Sequence, residues 1–327
     1  MRPWLSRLAG GVVVLAVAAT LNLALPRLAP GDPVEYVFGG ETQDLTTEQL
    51  DALRTEYRVA GSPLEQYARY WGDLVRGDLG TSISHGRPVS DILWERLPWT
   101  AGLVGVSIVL STVVGTMFGV YAAFRRGSRR DGAMTTTLLT VDSMPSFWVA
   151  MILIAVFSVR FGWFPSYGGR SLVDQGGAFA QWFDIAKRMV LPAAALILSR
   201  VGSTFLLARG SMLTVVSQPY VAMAEAKGLS RRRVAYHHAL RNALLPLSTM
   251  FALSLGALVS GAVVVETVFA YPGVGRTVFE AVSKRDYPLL QGAFLLLTVA
   301  VVVTNLVADL VYPLLDPRAR RPSGAEA

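Results

Sequence analysis

The 327-residue chain contains no cysteine and only three histidines, His85, His237 and His238. The absence of cysteine excludes disulfide bonds, thiolate zinc sites, iron–sulfur clusters and a cysteine nucleophile. Charged residues make up 16% of the chain, against about 25% in soluble domains, whereas 52% are hydrophobic and the mean hydropathy is +0.44. Because so little polar surface cannot keep a globule of this size in water, we expect the chain to lie in a bilayer.

Motifs of soluble enzymes are also missing. No glycine is followed by lysine, so the chain has no phosphate-binding loop of the form G-x-x-x-x-G-K-[ST]. It has neither an H-E-x-x-H zinc motif nor a Gly-x-Ser-x-Gly nucleophile elbow. The sequence therefore predicts no catalytic site, no metal site and no cofactor bound by this chain.

Six stretches are long and apolar enough to cross a membrane, which takes about 20 residues in a helix. They cover residues 8–26, 97–124, 134–159, 189–208, 242–265 and 287–308. The first follows Arg2 and Arg7, as in a signal peptide, but its apolar run is long and no A-x-A cleavage site follows it. Retention as a membrane helix is the favoured interpretation, so we predict an all-α, polytopic integral membrane protein with six transmembrane helices.

Basic residues indicate the orientation of these helices. They crowd the loops after the second and fourth spans and the tail after the sixth, all on the side of the N-terminus: Arg125, Arg126, Arg129 and Arg130; Arg209, Lys227, Arg231, Arg232, Arg233 and Arg241; Arg318, Arg320 and Arg321. Both termini are therefore expected to be cytoplasmic. The formal net charge of +7 is explained by this placement, and no nucleic acid partner is expected.

The long segment after the first span is predicted to contain two short amphipathic helices. Thr46 and Gln49 have the spacing of a capping box. Ser62, Pro63 and Glu65 give a second helix start with proline in its first turn. The segment either seals the bundle as a cap or presents a docking surface to a partner, and the sequence favours neither.

About 37 residues separate Arg209 from Pro246, far more than a helix connection needs. This region reads as a helix, a break at Gly228, and a second, basic helix that starts at Ser230. A basic amphipathic helix can lie on anionic lipid. Alternatively, the two helices form a rigid knob that docks into a cytoplasmic protein.

Residues 220–246 resemble the coupling loop of the permease subunits of binding-protein-dependent ABC importers. Other motifs extend the resemblance to the dipeptide/oligopeptide class over nearly the whole chain, in order: Gly77–Ser82 with Pro88-Val89 and Arg96-Leu97-Pro98; Ser146-Phe147-Trp148 with Gly162–Pro165; Gly261–Arg276; Arg285–Pro288; and Asn305, Asp309 and Leu315–Arg318. In one departure, Ala222 stands where the general importer pattern has a glutamate, six residues before the loop glycine. The peptide class commonly has basic residues six and three before that glycine, and this chain has Ala222 and Glu225.

The resemblance implies a type I importer permease in the plasma membrane of a prokaryote. Its expected partners are a second, homologous permease, two cytoplasmic ATPase subunits that hold ATP and Mg²⁺, an external solute-binding protein, a di- or oligopeptide substrate and membrane lipid. Nickel or another small solute is the alternative substrate, and an ion-coupled secondary transporter is the alternative class. We divide the chain into residues 1–98 (first helix and external segment), 99–318 (a five-helix core with the coupling loop at 210–245) and 319–327 (a cytoplasmic tail).

The resemblance and the membrane-embedded charges give the candidate site residues. Those of the ATPase-coupling loop are Tyr220, Ala222, Glu225, Ala226, Gly228, Arg232, Asn242 and Pro246. Those of the translocation pathway or gate are Ser143, Pro145, Phe147, Arg200, Glu266 and Pro272.

Three further expectations concern the spans themselves. Charges inside a span need a cavity or a partner, and Arg200 is expected to pair with an acid such as Asp142 or to meet a peptide carboxylate. Pro145 is expected to kink the third span. Gly115 and Gly119 are expected to form a close helix contact.

Overall fold

The computed structural model describes residues 3–27, 46–57, 60–171, 176–230, 233–240, 243 and 262–315. Helices dominate these residues: α1 Pro3–Arg27, α2 Thr47–Glu56, α3 Pro63–Val75, α4 Val89–Ala123, α5 Arg129–Asp142, α6 Ser146–Leu153, α7 Ala178–Val216, α8 Pro219–Ala226, α9 Val274–Ser283 and α10 Tyr287–Leu315. Two π-helical turns occupy Ile154–Arg160 and Val234–Ala239, and residues 262–268 are also helical. Within the described ranges the only β-type pairing is an isolated bridge between Thr81 and Pro88, so the all-α prediction is confirmed.

Among the residues that the structure describes, three helices are long and apolar enough to cross a membrane: α4, α7 and α10, the last over Tyr287–Val307. The predicted third span corresponds to two helical segments, α5 and Ser146–Arg160, which are apolar enough together but are bent by 98° at the break between them. The first predicted span forms the 25-residue helix α1, which is apolar over Ala9–Ala24. The fifth lies outside the described residues except for 243 and 262–265, so the number six stays a prediction.

Two helices extend beyond the membrane spans predicted within them. Helix α4 begins at Val89 and not at residue 97, and α7 runs from Ala178 to Val216 and not from 189 to 208. Hydropathy marks only the part of a helix that lies in hydrocarbon, whereas backbone hydrogen bonds continue the helix into water. In α7 an ion pair between Asp184 and Arg188 stabilises such an extension, with Oδ2 and Nε 3.0 Å apart. The last turns of α7, which ends at Val216, fall within the predicted coupling loop 210–245, and the bounds of that loop stay a prediction.

The predicted kink at Pro145 is confirmed, and it is a full break. Helix α5 ends at Asp142 and α6 begins at Ser146, with extended backbone at Pro145. Proline lacks the N–H that would continue the helix and disfavours helical backbone in the residue before it. The carbonyl of Pro145 then accepts the first hydrogen bonds of α6, from the backbone N–H groups of Trp148 and Val149.

The described chain forms two compact units. The first contains Met1–Ala101 and Ala270–Val303. Its core joins the start of α4, the amphipathic helix α9 and the start of α10 through Val89, Ile92, Leu93, Val274, Val278, Ala281, Leu289, Leu290 and Ala293. The second contains Gly102–Phe269 and Thr304–Ala327. The division of the chain at residues 98 and 318 stays a prediction.

Both predicted capping boxes of the external segment are confirmed. Thr46 caps α2 and Ser62 caps α3, and in each case the side chain at the third helical position bonds back to the cap backbone. Tyr57, at the end of α2, is buried, whereas Leu64 at the start of α3 is 77% exposed. The capping residues thus determine where the two helices begin. The apolar face of α3 that includes Leu64 is only partly buried.

A buried carboxylate fixes the segment before α4 to the start of α10. Oδ2 of Asp286 accepts hydrogen bonds from the Ser82 hydroxyl (2.5 Å) and from both the backbone N–H (2.9 Å) and the hydroxyl (2.8 Å) of Ser84. Its Oδ1 accepts the backbone N–H of Leu289 at 3.2 Å and so caps α10. Two of the motifs that carry the family resemblance, Gly77–Ser82 and Arg285–Pro288, therefore meet in space.

In the second unit α4 and α7 approach closely at two glycines. A methyl group added at Gly115 would lie 2.8 Å from Cβ of Thr204, and one at Gly119 would lie 2.6 Å from Cβ of Ala208 and 2.8 Å from the carbonyl oxygen of Phe205. This confirms the close contact expected from the GxxxG pair.

We expect Gly119→Ala to destabilise the protein by about 1–3 kcal/mol, because the methyl group would overlap backbone atoms of α7. Gly105→Ala is the matched control on the same helix, where an added Cβ meets nothing within 4 Å. The control should be neutral or slightly stabilising, because alanine favours helix over glycine. Thermal unfolding of the detergent-solubilised variants measures both, and equal melting temperatures would contradict the close packing.

Candidate coupling site

The predicted helix–glycine–helix pattern is present after α7. Helix α8 covers Pro219–Ala226, and the second helix is a π-helical turn over Val234–Ala239. Ser230 starts this second helix, because its carbonyl accepts the N–H of Val234 at 3.0 Å and its hydroxyl accepts the N–H of Arg233 at 3.4 Å. The predicted N-cap is therefore confirmed, while the π geometry was not foreseen.

A hydrophobic core holds both loop helices against the ends of α4 and α7. Val120 and Ala123 of α4 and Met212 of α7 pack with buried residues of the loop, namely Val221, Ala224, Val234, Ala235, Ala239 and Ala243. The buried pair in α8 is three residues apart, so one face of this short helix points inward. The loop is thus a packed structural element joined to two long helices.

The opposite face of α8 is open. Tyr220 is 40% exposed and Met223 is 61% exposed. Ala222, Ala226, Lys227 and Gly228 are exposed as well. We call Tyr220, Ala222, Met223, Ala226 and Gly228 the exposed loop face. It combines small and apolar side chains, which suits close contact with another protein.

Gly228 has a positive φ of +75°, and a Cβ added there would meet nothing within 4 Å. Glycine is therefore needed for its backbone conformation and not for space. Asparagine tolerates this left-handed region, whereas a β-branched residue is strained in it.

A buried ion pair joins α5 to α7 one turn before Met212. Arg209 donates to both oxygens of Asp131, from Nε at 2.7 Å and from a terminal nitrogen at 2.8 Å. The Asp131 side chain is 6% exposed and also accepts the N–H of Gly127 at 3.1 Å. Bidentate pairing fixes the relative position of the two helices.

Comparison with known proteins now decides the family. The sequence model of one protein family, described as binding-protein-dependent transport system inner membrane components, matches residues 115–321. A probable peptide ABC transporter permease protein of Sinorhizobium fredii is 38% identical over 97% of this chain and 98% of its own length. The oligopeptide transport system permease protein AppB of Bacillus subtilis is 36% identical over 94% and 95%, and the dipeptide transport system permease protein DppB of Escherichia coli is 35% identical over 98% and 99%.

The chain belongs to this family of inner membrane transport components. A solved structure of the methionine ABC transporter MetNI in an inward-facing conformation covers 69% of this chain and 96% of its own, with a TM-score of 0.57 at 15% identity. This likeness shows the fold, which is that of type I importer permeases. The protein is a multi-pass, non-catalytic permease subunit, as the sequence predicted, and not a cofactor-dependent enzyme.

In the permease, the break after α5 lies against α7 beside Arg200. Asp142 accepts the backbone N–H of Ser203 at 3.1 Å, and a Cβ at Gly202 would lie 2.5 Å from that of Asp142. Arg200 is half-buried and precedes Ser203 by about one turn of α7. The structure therefore brings together Arg200 and the break at Ser143 and Pro145, while Phe147 is 44% exposed.

The other predicted residues are placed less completely. Glu266 is fully buried in the helical residues 262–268, and Pro272 lies just before α9. Arg232, Asn242 and Pro246 lie outside the described residues, as does the side chain of Glu225.

The ion pair of the permease was not predicted. Asp131 stands three residues after Ser128, whose hydroxyl accepts its N–H at 3.2 Å, so helix-start spacing was a local signal for its position. Arg209 was counted only as a loop charge. Nothing in the sequence connects two residues that lie 78 positions apart.

We expect Arg209→Leu to destabilise the permease by about 1–3 kcal/mol, because Asp131 loses its cation and keeps the N–H of Gly127 as a partner. Adding Asp131→Asn should restore much of the loss, since it removes the unpaired charge. Unfolding of the two single variants and the double variant completes a double-mutant cycle. Additive losses would show that the two side chains do not interact.

Proposed function

We propose that this permease is one of two homologous membrane subunits of an ATP-driven importer of di- or oligopeptides. An external solute-binding protein delivers the peptide, and two cytoplasmic ATPase subunits, which bind ATP and Mg²⁺, drive transport. The importer lies in the plasma membrane of a prokaryote, where this chain also contacts lipid. Its work is to couple ATPase motion to alternating access of the membrane helices.

The observation that carries this proposal is the packing of the loop. Buried residues on one side attach it to α4 and α7, and the exposed loop face is left on the other. A partner that moves this face moves the inner ends of two long helices with it. In this role the docking residues are Tyr220, Ala222, Glu225, Ala226, Gly228, Arg232, Asn242 and Pro246.

The peptide substrate is supported by the names of the relatives, which are described as peptide, oligopeptide and dipeptide permeases. Arg200 beside the broken span supplies a cation that suits a peptide carboxylate. We assign the pathway to Ser143, Pro145, Phe147, Arg200, Glu266 and Pro272. None of the three permeases named for peptide, oligopeptide or dipeptide transport is described as a nickel permease.

Uptake into proteoliposomes containing the permease, its partner permease and both ATPases tests the function. With the solute-binding protein outside and ATP inside, labelled dipeptide should accumulate and labelled nickel should not. Collapse of ion gradients should leave uptake intact, whereas ATP depletion should stop it. Peptide uptake without ATP, or uptake of nickel instead of peptide, would overturn the proposal.

We expect Gly228→Val to abolish coupling, because valine is strained at a φ of +75°. Gly228→Asn is the matched control and should retain most activity, since asparagine tolerates this conformation and the space around residue 228 is open. Co-purification of the ATPases and ATP-driven uptake are measured for both. If the valine variant keeps normal levels of both, the loop does not couple through this turn.

A further inference from the structure

A cavity of about 1250 Å³ opens beside the inner end of α4, next to the coupling loop. Its apolar wall includes Met117 of α4 and Phe124, which directly follows that helix, and Tyr236 of the loop forms another side. The remaining wall is the connection from α4 to α5, including Ser128. The function proposed above gives this cavity no role.

Four arginines line the cavity: Arg125, Arg126, Arg129 and Arg130. Both oxygens of the adjacent acid, Asp131, are bound to Arg209, and the charge of Arg126 also lowers the pKa of this acid. None of the four forms an ion pair within the part of the chain that the structure describes. The wall of the cavity therefore carries an excess of positive charge, which favours an anionic ligand.

Tyr121 orients two of these arginines. The guanidinium of Arg125 lies 4.6 Å from the centre of the Tyr121 ring, in cation–π geometry. A terminal nitrogen of Arg130 donates a hydrogen bond to the Tyr121 hydroxyl at 3.4 Å. On the loop side, the Tyr236 hydroxyl donates to the carbonyl of Met117 at 3.4 Å. These contacts give the cationic wall a defined shape.

An exposed apolar stripe on α4 leads into the cavity. Val106, Leu110, Val113 and Met117 follow one another at helical spacing and are 36%, 43%, 48% and 53% exposed. The next residues on that face, Tyr121 and Phe124, line the cavity. An apolar stripe that ends at a cluster of arginines matches a molecule with an acyl chain and a phosphate, whereas free phosphate or a nucleotide has no group for the stripe.

We propose that this cavity is a binding site for an anionic phospholipid, with its phosphate against the four arginines and an acyl chain along the stripe of α4. The basic residues lie on the predicted cytoplasmic side, where basic pockets between membrane helices bind anionic headgroups. Arginine provides the paired donors that suit a phosphate.

The first test measures phosphatidylglycerol binding to the assembled importer in phosphatidylcholine nanodiscs by native mass spectrometry. Arg129→Gln with Arg130→Gln should weaken binding roughly fivefold per charge, or about 25-fold together. Arg320→Gln with Arg321→Gln removes two charges from the tail on the same predicted side and should have little effect. Arg129→Lys with Arg130→Lys keeps the positive charges that determine how the helices are oriented in the membrane. This variant should bind phosphatidylglycerol with intermediate affinity.

Equal losses in the cavity and tail variants would show attraction to surface charge alone and would overturn the site, as would unchanged binding in the cavity variant. A second measurement identifies the occupant. Because the chain has no cysteine, Met117→Cys can carry a photoreactive group at one unique position in this subunit. An adduct with the mass of phosphatidylglycerol supports the proposal, and a crosslink to an acidic segment of a partner subunit contradicts it.

Discussion

The packing of the loop onto the inner ends of α4 and α7 is the interaction on which the mechanical role of the permease depends. Val221 and Ala224 of α8 and Val234 and Ala235 of the π-helical turn are buried against those helices. A loop held only by its two chain ends would absorb the motion of a partner. A loop with its own apolar core transmits that motion, because packed side chains resist compression.

The same reasoning explains why α4 and α7 are tightly joined. At Gly115 and Gly119 the two backbones approach so closely that no side chain fits, and in the second unit the Asp131–Arg209 pair also attaches α5 to α7. Apolar burial drives helix association weakly in a membrane, since lipid is as apolar as leucine. Close backbone contact and a bidentate ion pair supply the specificity that hydrophobicity cannot.

Local features of this fold could be predicted from the sequence because local chemistry determines them. The caps at Thr46 and Ser62, the break at Pro145 and the turn at Gly228 each follow from the conformations that a single residue type allows. The partners of Asp131 and Asp286 could not be predicted, since they lie 78 and more than 200 residues away. Hydropathy did not indicate the start of α4 or either end of α7, because it reports the surrounding medium and not the extent of the helix.

The candidate site shows the same division. The sequence indicated a glycine turn between two helices and, through the family resemblance, a docking role, but it could not tell which face of α8 was buried. For the basic helix after Gly228, lipid binding and protein docking are competing interpretations of the sequence. The two proposed contacts use different residues: α8 carries the exposed loop face, while the α4–α5 connection and Tyr236 surround the basic cavity. Because the residues of the exposed loop face and those of the basic cavity are different, a lipid and an ATPase bound as proposed would not compete for them.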